Sequence, residues 1–224
     1  MKKSNNILII DLDETLLAIN SFPVWAGYFL VGKFENLNLP QLLLLRLKAA
    51  KIFAYRKILG QSHAGTKDAL QRLWPQSAGE LALENILKNL EQKIRPNMCE
   101  IVTLVADNKI DAVLASAAAS LYVQPFARKI GFSNIISTGI GESENRSEEK
   151  ARRVQEFLAL QGWEARKKIF FTDHLEDMPF ILKSDKLMWF GKTEEIATIQ
   201  QSAPKLNIIP CKNLTSQEIL THVL

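Results

Sequence analysis

The sequence predicts an α/β fold: a Rossmann-like parallel sheet core with helices on both faces, plus an inserted all-helical cap domain. Three observations carry this. Short apolar runs recur at 7–10, 111–116, 134–140, 167–173 and 186–191. The later runs alternate with segments of helical periodicity, and such alternation builds parallel sheets. The stretch 18–95 interrupts the alternation and is too long for a simple crossover.

Each element has its own signature. Ile7, Leu8, Ile9 and Ile10 form a β-branched-rich run suited to a strand buried on both faces. Residues 18–95 carry dense apolar residues at helical spacing, with breaks near Gly32, Gly60, Gly65 and Pro75. Pro96 opens a helix. "DAVLAS" (111–116) is a short buried strand, and "AAASLYVQPFARKIGF" is a helix closing at Gly131. "NIISTGI" (134–140) is a further strand. In "SEEKARRVQEFLALQG", Ala151, Val154, Phe157 and Leu158 share one helical face, and Gly162 stops the helix. "KKIFFTD" (167–173) is a buried strand ending in an acid, and "KLMWFG" (186–191) is a fifth strand. The expected core comprises 1–17 and 96–224, and the expected cap 18–95. Trp25, Tyr28 and Phe29 read as cap core; His63 and His222 read as structural or exposed.

The bulk numbers exclude several classes. The 224 residues are 47% hydrophobic and 23% charged, an ordinary soluble composition. A net charge of +4 favours anionic ligands without requiring nucleic acid. Cys99 and Cys211 lack metal-type spacing and read as free thiols in a reducing compartment. The basic start is followed by only four apolar residues before Asp11, too few for a signal sequence. Segment 22–31 is too short to span a bilayer, and 39–59 is interrupted by Arg46, Lys48 and Lys51. A cytoplasmic protein without stable membrane insertion is expected. Nothing in these features specifies an oligomeric state.

The polar residues at the strand ends suggest chemistry. Asp11 and Asp13 follow the first strand; in extended chain both side chains point the same way. Two close carboxylates repel unless a cation lies between them. Taken alone, the pair is equally a polar strand exit with a capping Asp. Ser116 ends "DAVLAS", Lys150 lies in the first turn of its helix, and Asp173 and Asp177 follow "KKIFF". A parallel sheet gathers such positions at one edge. Together they fit phosphoryl transfer from a monoester. Asp11 would be the nucleophile, and Asp13 the general acid and base. Asp11, a nearby backbone carbonyl and Asp173 would suit Mg²⁺, Asp177 would bind it through water or orient Asp173, and Asp13 is counted with them at the metal. Ser116 and Lys150 would hold the phosphoryl oxygens.

"DLDETL" (11–16), "LAS" ending at Ser116, Lys150 and "DHLED" (173–177) occur in an order that resembles the haloacid dehalogenase superfamily of phosphohydrolases. The insertion after the first motif is similar to the phosphoserine phosphatase-like branch with a helical cap. The resemblance implies the roles above, a Mg²⁺ cofactor and a small phosphorylated metabolite as substrate. Three positions depart from the family pattern: Ser147 where Gly is common, His174 where a smaller residue is usual, and Glu14 where Gly or Ser is frequent.

Other readings share part of this pattern. A phosphotransferase would use the same intermediate with an alcohol acceptor. The apolar, cationic stretch containing Arg46, Lys48, Lys51, Arg56 and Lys57 reads as a solvated helix face. It also keeps open a lipid-phosphate substrate or a membrane surface. A dehalogenase would not need Asp13 or the acidic 173–177 cluster. A signalling receiver domain would be about half this size and lack the insertion. A catalytically inactive phosphate-binding module would keep the fold and not need the intact acids.

Overall fold

Residues 5–60, 62–75 and 77–224 are described in the computed structural model; the basic start at 1–4 lies outside them. The strands are β1 (Asn6–Ile10), β2 (Asp111–Ala119), β3 (Asn134–Thr138), β4 (Lys167–Thr172), β5 (Lys186–Trp189) and β6 (Asn207–Pro210). The helices are α1 (Phe22–Val31), α2 (Leu39–Leu59), α3 (His63–Leu73), α4 (Glu80–Glu91), α5 (Cys99–Ala106), α6 (Ser120–Lys129), α7 (Ser147–Leu160), α8 (Met178–Ile181), α9 (Glu195–Ser202) and α10 (Ser216–Val223).

All six strands are parallel, in the order β3-β2-β1-β4-β5-β6. The apolar run of β1 is explained by its two neighbours and two covered faces. Leu8 and Ile10 join Leu114, Phe171 and Met188 beneath α5, α6 and α10. Ile7 and Ile9 join Val113, Phe170 and Leu187 beneath α7, α8 and α9. Chain order reverses between β1 and β4, and such switch points open a crevice at the carboxyl ends of the strands.

Helices α1 to α4 lie between β1 and β2 in sequence. The chain leaves and returns at one point: Leu17 and Ile94 form an antiparallel bridge, and the Ala18 amide donates to Lys93 O at 2.8 Å. Local chemistry sets the limits of α2. Asn38 and Gln41 form a reciprocal capping box, and Gly60 ends the helix at φ 66°. The insertion shares one continuous apolar cluster with the sheet, through Trp25, Phe29, Leu70, Trp74 and Leu90. Trp25 and Phe29 are fully buried there.

Several expectations are corrected. β2 does not end at Ser116; it runs on to Ala119, which pairs with Thr138 after a register shift. The helix therefore begins at Ser120. Ala is the strongest helix former, yet here the pairing with β3 outweighs that preference. β3 stops at Thr138, short of Ile140. Gly65 lies inside α3 and breaks nothing. The sheet has a sixth strand, whose four residues end in Pro210 at an edge, where proline is tolerated. No helix among the described residues is long and apolar enough to cross a membrane.

Candidate active site

β1 delivers Asp11 to the switch point, where its amide donates to Phe171 O of β4 at 2.9 Å. The chain then folds into one tight turn over Leu12–Leu16. Asp13 is extended there, and Glu14 sits in the left-handed region at φ 54°. That conformation is unstrained for Gly and unfavourable for a Glu, which gives a physical reason why Gly suits this position. Ser116 comes from β2, Lys150 from the first turn of α7, and Asp173 and Asp177 from the end of β4 and the turn after it. All six line one cavity of about 270 Å³.

Lys150 is the hub. Its Nζ donates to Asp11 Oδ1 at 2.9 Å and to Asp177 Oδ2 at 2.9 Å, and it lies 2.8 Å from Asp177 Oδ1. Burial works against its charge, but the two carboxylates more than offset that and raise its pKa. Burial pushes the Asp11 carboxyl up to about 8. Lys150 opposes the shift, while Asp177 and Asp173 add to it. Asp173 is pushed up to about 6, first by burial and then by the Glu14 charge. Thr15 Oγ1 donates to Asp173 Oδ1 at 3.3 Å. Thr172 Oγ1 donates to Asp177 Oδ2 at 2.6 Å.

The Asp13 carboxylate is turned toward the start of α1. Its Oδ1 accepts from the Ser21 amide at 2.7 Å, and Ser21 Oγ shares a 2.9 Å hydrogen bond with Tyr122 Oη. Burial raises the Asp13 pKa despite the hydrogen bonds from Ser21. Ser116 Oγ accepts from the Ala118 amide at 3.1 Å, so it caps a bend in the strand and not a helix. Asn145, fully buried, donates to Ser116 O at 3.0 Å and locks that bend.

The structure adds residues that the sequence does not reveal. Lys67 of α3 reaches across to the core: its Nζ donates to Ala117 O at 2.9 Å and to Glu144 Oε1 at 2.5 Å. His63, expected to be structural or exposed, lines the cavity, meets the Phe22 ring at a tilt with the ring centres 4.7 Å apart, and lies 3.6 Å from Glu144. Burial pushes Glu144 up, but hydrogen bonds from His63 and Lys67 outweigh it and hold the carboxyl down at about 2. Arg146 pairs with Glu176 at the rim. His174 accepts from the Glu176 amide at 3.1 Å through Nδ1 and so caps the turn that carries Asp177.

A divalent cation would meet oxygen donors here. Among the described residues no three Asp, Glu, His or Cys stand close enough to form a cage. Mg²⁺ does not need one, because it binds through one or two carboxylates with waters and substrate oxygens. Seven carboxylates line the cavity, against Lys67, Arg146 and Lys150. Oxygen donors thus outnumber cations in the cavity, a set whose chemistry fits Mg²⁺, and Asp11 and Asp173 both line it. Asp177 is engaged by Lys150 and Thr172, and the Asp13 carboxylate by Ser21.

Fold and family together define a class: a hydrolase built on a parallel sheet, with a helical insertion after its first strand. The chain belongs to the haloacid dehalogenase-like hydrolases, whose family model matches residues 8–181. Its fold is similar to that of a protein of unknown function from Bordetella pertussis Tohama I, at TM-score 0.66 and 17% identity, covering 92% of this chain and 98% of that one. It is also similar to phosphoserine phosphatase in apo form, at TM-score 0.59 and 13% identity over 100% of both chains. A phospho-aspartyl intermediate analogue of phosphoserine phosphatase matches at TM-score 0.57 and 15% identity, again over 100% of both. No curated protein sequence matches the chain.

Proposed function

We propose that this protein hydrolyses a small phosphomonoester through an aspartyl-phosphate on Asp11, with residues 18–95 acting as the cap over a core of 1–17 and 96–224. The observation that carries the reading is the Lys150 ammonium 2.9 Å from Asp11 Oδ1 at the sheet's switch point, with Asp13 and Ser116 lining the same cavity. The structural likeness to a phospho-aspartyl intermediate analogue of phosphoserine phosphatase supports it.

Asp11 attacks phosphorus, and the bond from phosphorus to the leaving oxygen breaks. Asp13 gives that oxygen its proton; burial, which raises the Asp13 pKa, keeps the proton available. Water then attacks the acyl-phosphate, Asp13 takes the water's proton, and phosphate leaves. Lys150 and Ser116 hold phosphoryl oxygens, and Lys150 offsets charge as it builds. Mg²⁺, held by Asp11, Asp173 and a backbone carbonyl of the Asp11–Asp13 turn, would neutralise the phosphoryl group against the acidic wall. Closure of the cap excludes bulk water from the first step.

Asp13→Asn is expected to slow release of an alkoxide leaving group by about 10²–10⁴-fold. Aryl phosphates, whose leaving groups need no proton, should lose less in the first step. Rapid-quench comparison of the two substrate types reads the difference. Equal losses for both would remove Asp13 from the acid role.

Magnesium should raise the melting temperature more at pH 8 than at pH 5. Asp11 and Asp173, at about 8 and about 6, hold protons at the lower pH, and the ion must displace them. Differential scanning fluorimetry at both pH values checks this; an equal shift at both would count against these ligands. The decisive experiment for the function is a phosphate-release screen over a panel of phosphomonoesters with Mg²⁺. If generic aryl phosphates and every metabolite stay intact, the phosphatase reading fails.

A further inference from the structure

Helix α2 has two apolar faces, and the active site uses neither. Leu45 and Ala49 are buried against the neighbouring cap helices. On the opposite side, Leu43, Leu47, Ala54 and Ile58 follow one another at helical spacing and are exposed. Leu47 is 60% exposed and Ile58 is 77% exposed. An exposed apolar stripe of this length has a functional meaning more often than scattered single leucines do.

Charge selects the occupant. Over 21 residues α2 carries Arg46, Lys48, Lys51, Arg56 and Lys57, and no Asp or Glu. Lys48 and Lys57 flank the stripe on its two sides, and Lys51 lies within it over the Tyr55 ring, at 5.5 Å. Beside the stripe, Lys48, Lys51 and Arg72 line a shallow groove of about 350 Å³ with Ile52, Ala69 and Leu73. A second copy of this face would bring two acid-free, cationic helices together, which like-charge repulsion opposes. An anionic bilayer offers both halves of the complement: acyl chains for the leucines and headgroup phosphates for the lysines, whose stems allow them to snorkel.

We propose that the outward face of α2 docks on an anionic lipid bilayer, lying in its interface without crossing it. Arg56 of α2 sits over the Phe22 ring at 5.7 Å, and Phe22 lines the catalytic cavity. The docked helix is thus one residue removed from the cavity wall. This inference stands on the surface alone and does not depend on the proposed reaction.

Vesicle flotation with the full chain tests it, using phosphatidylcholine vesicles with and without phosphatidylglycerol. The protein should float with the anionic vesicles at low salt, stay behind with the neutral ones, and be released as salt rises. Leu43→Ser with Leu47→Ser should abolish flotation. Lys48→Gln and Lys57→Gln should each lower partitioning about fivefold, from about 1 kcal/mol per basic residue near a charged membrane. Leu160→Ser, at an 84% exposed leucine outside the patch, should change nothing. Unaltered circular dichroism confirms that each variant folds. Failure to float on anionic vesicles at low salt overturns the proposal. So does flotation that survives the double leucine change, or a concentration-dependent dimer that this change dissolves while vesicles bind nothing.

Discussion

Asp11→Asn is expected to abolish phosphate release, by at least about 10⁴-fold, while making the protein more stable at pH 8 in magnesium-free buffer. The two effects share one cause. Asp11 is 8% exposed, and in the metal-free protein burial, with the neighbouring Asp177 and Asp173, pushes its carboxyl up to about 8 against the pull of Lys150. In the unfolded chain the same carboxyl titrates near its ordinary 3.8. A group whose folded pKa is raised stabilises the fold fully below the unfolded value, and that contribution is lost as pH rises through the folded value. The wild type should therefore lose stability between about pH 4 and pH 8, by up to about 5 kcal/mol. Asparagine has no charge to desolvate and still accepts a hydrogen bond from Lys150, which keeps Asp177 as its partner. Thermal melts at pH 5 and pH 8 should show a flatter profile for the variant, at roughly 2–4 °C per kcal/mol. A variant that melts well below the wild type at pH 8 would mean the carboxylate is a structural anchor.

Lys150→Met should give the largest loss of stability from any single change in the cavity, about 3–5 kcal/mol. Methionine matches the length of the lysine stem, so packing in α7 is kept and the charge alone is removed. Asp11 and Asp177 are then left buried without their shared cation, and among the described residues the Asp177 carboxylate keeps the Thr172 hydroxyl as its side-chain hydrogen bond. The penalty should grow with pH, because each carboxylate that ionises does so unpaired. Adding Asp11→Asn to Lys150→Met should recover part of the loss, and a double-mutant cycle measures how much. Purely additive losses would mean that Lys150 and Asp11 do not act as a pair. Phosphate release should be lost in Lys150→Met even where the protein remains folded, since the phosphoryl group loses its buried cation.

The same site shows where sequence reasoning stops. Asp11, Ser116, Lys150 and Asp173 are legible because each lies next to an apolar run or a helical stripe, and strand ends in a parallel sheet converge. The Thr15 hydroxyl on Asp173 and the Thr172 hydroxyl on Asp177 are partly legible, since both flank acids already singled out. Lys67 and Glu144 are not. They stand 77 positions apart, and a lysine on a helix is ordinarily a solvated charge. Only the packing of α3 against the end of β2 brings this one to 4% exposure. α10 carries a signal at Thr215 and Glu218, whose spacing is that of a capping box. β6 carries almost none, being four residues long and closed by Pro210.

By itself, the sequence determined the order of the first five strands and of the helices before β2, β3 and β4, the long insertion after the first strand, and the acids and the lysine that meet at the switch point. These follow from periodicity and from chain order, which are local or topological properties. Only the tertiary structure decided that β2 continues through three alanines, that Asp13 turns to the Ser21 amide, and that His63, Lys67 and Glu144 close the cavity. Those outcomes depend on which backbone groups and charges come within hydrogen-bonding distance after the chain has folded, and no spacing along the chain encodes that distance.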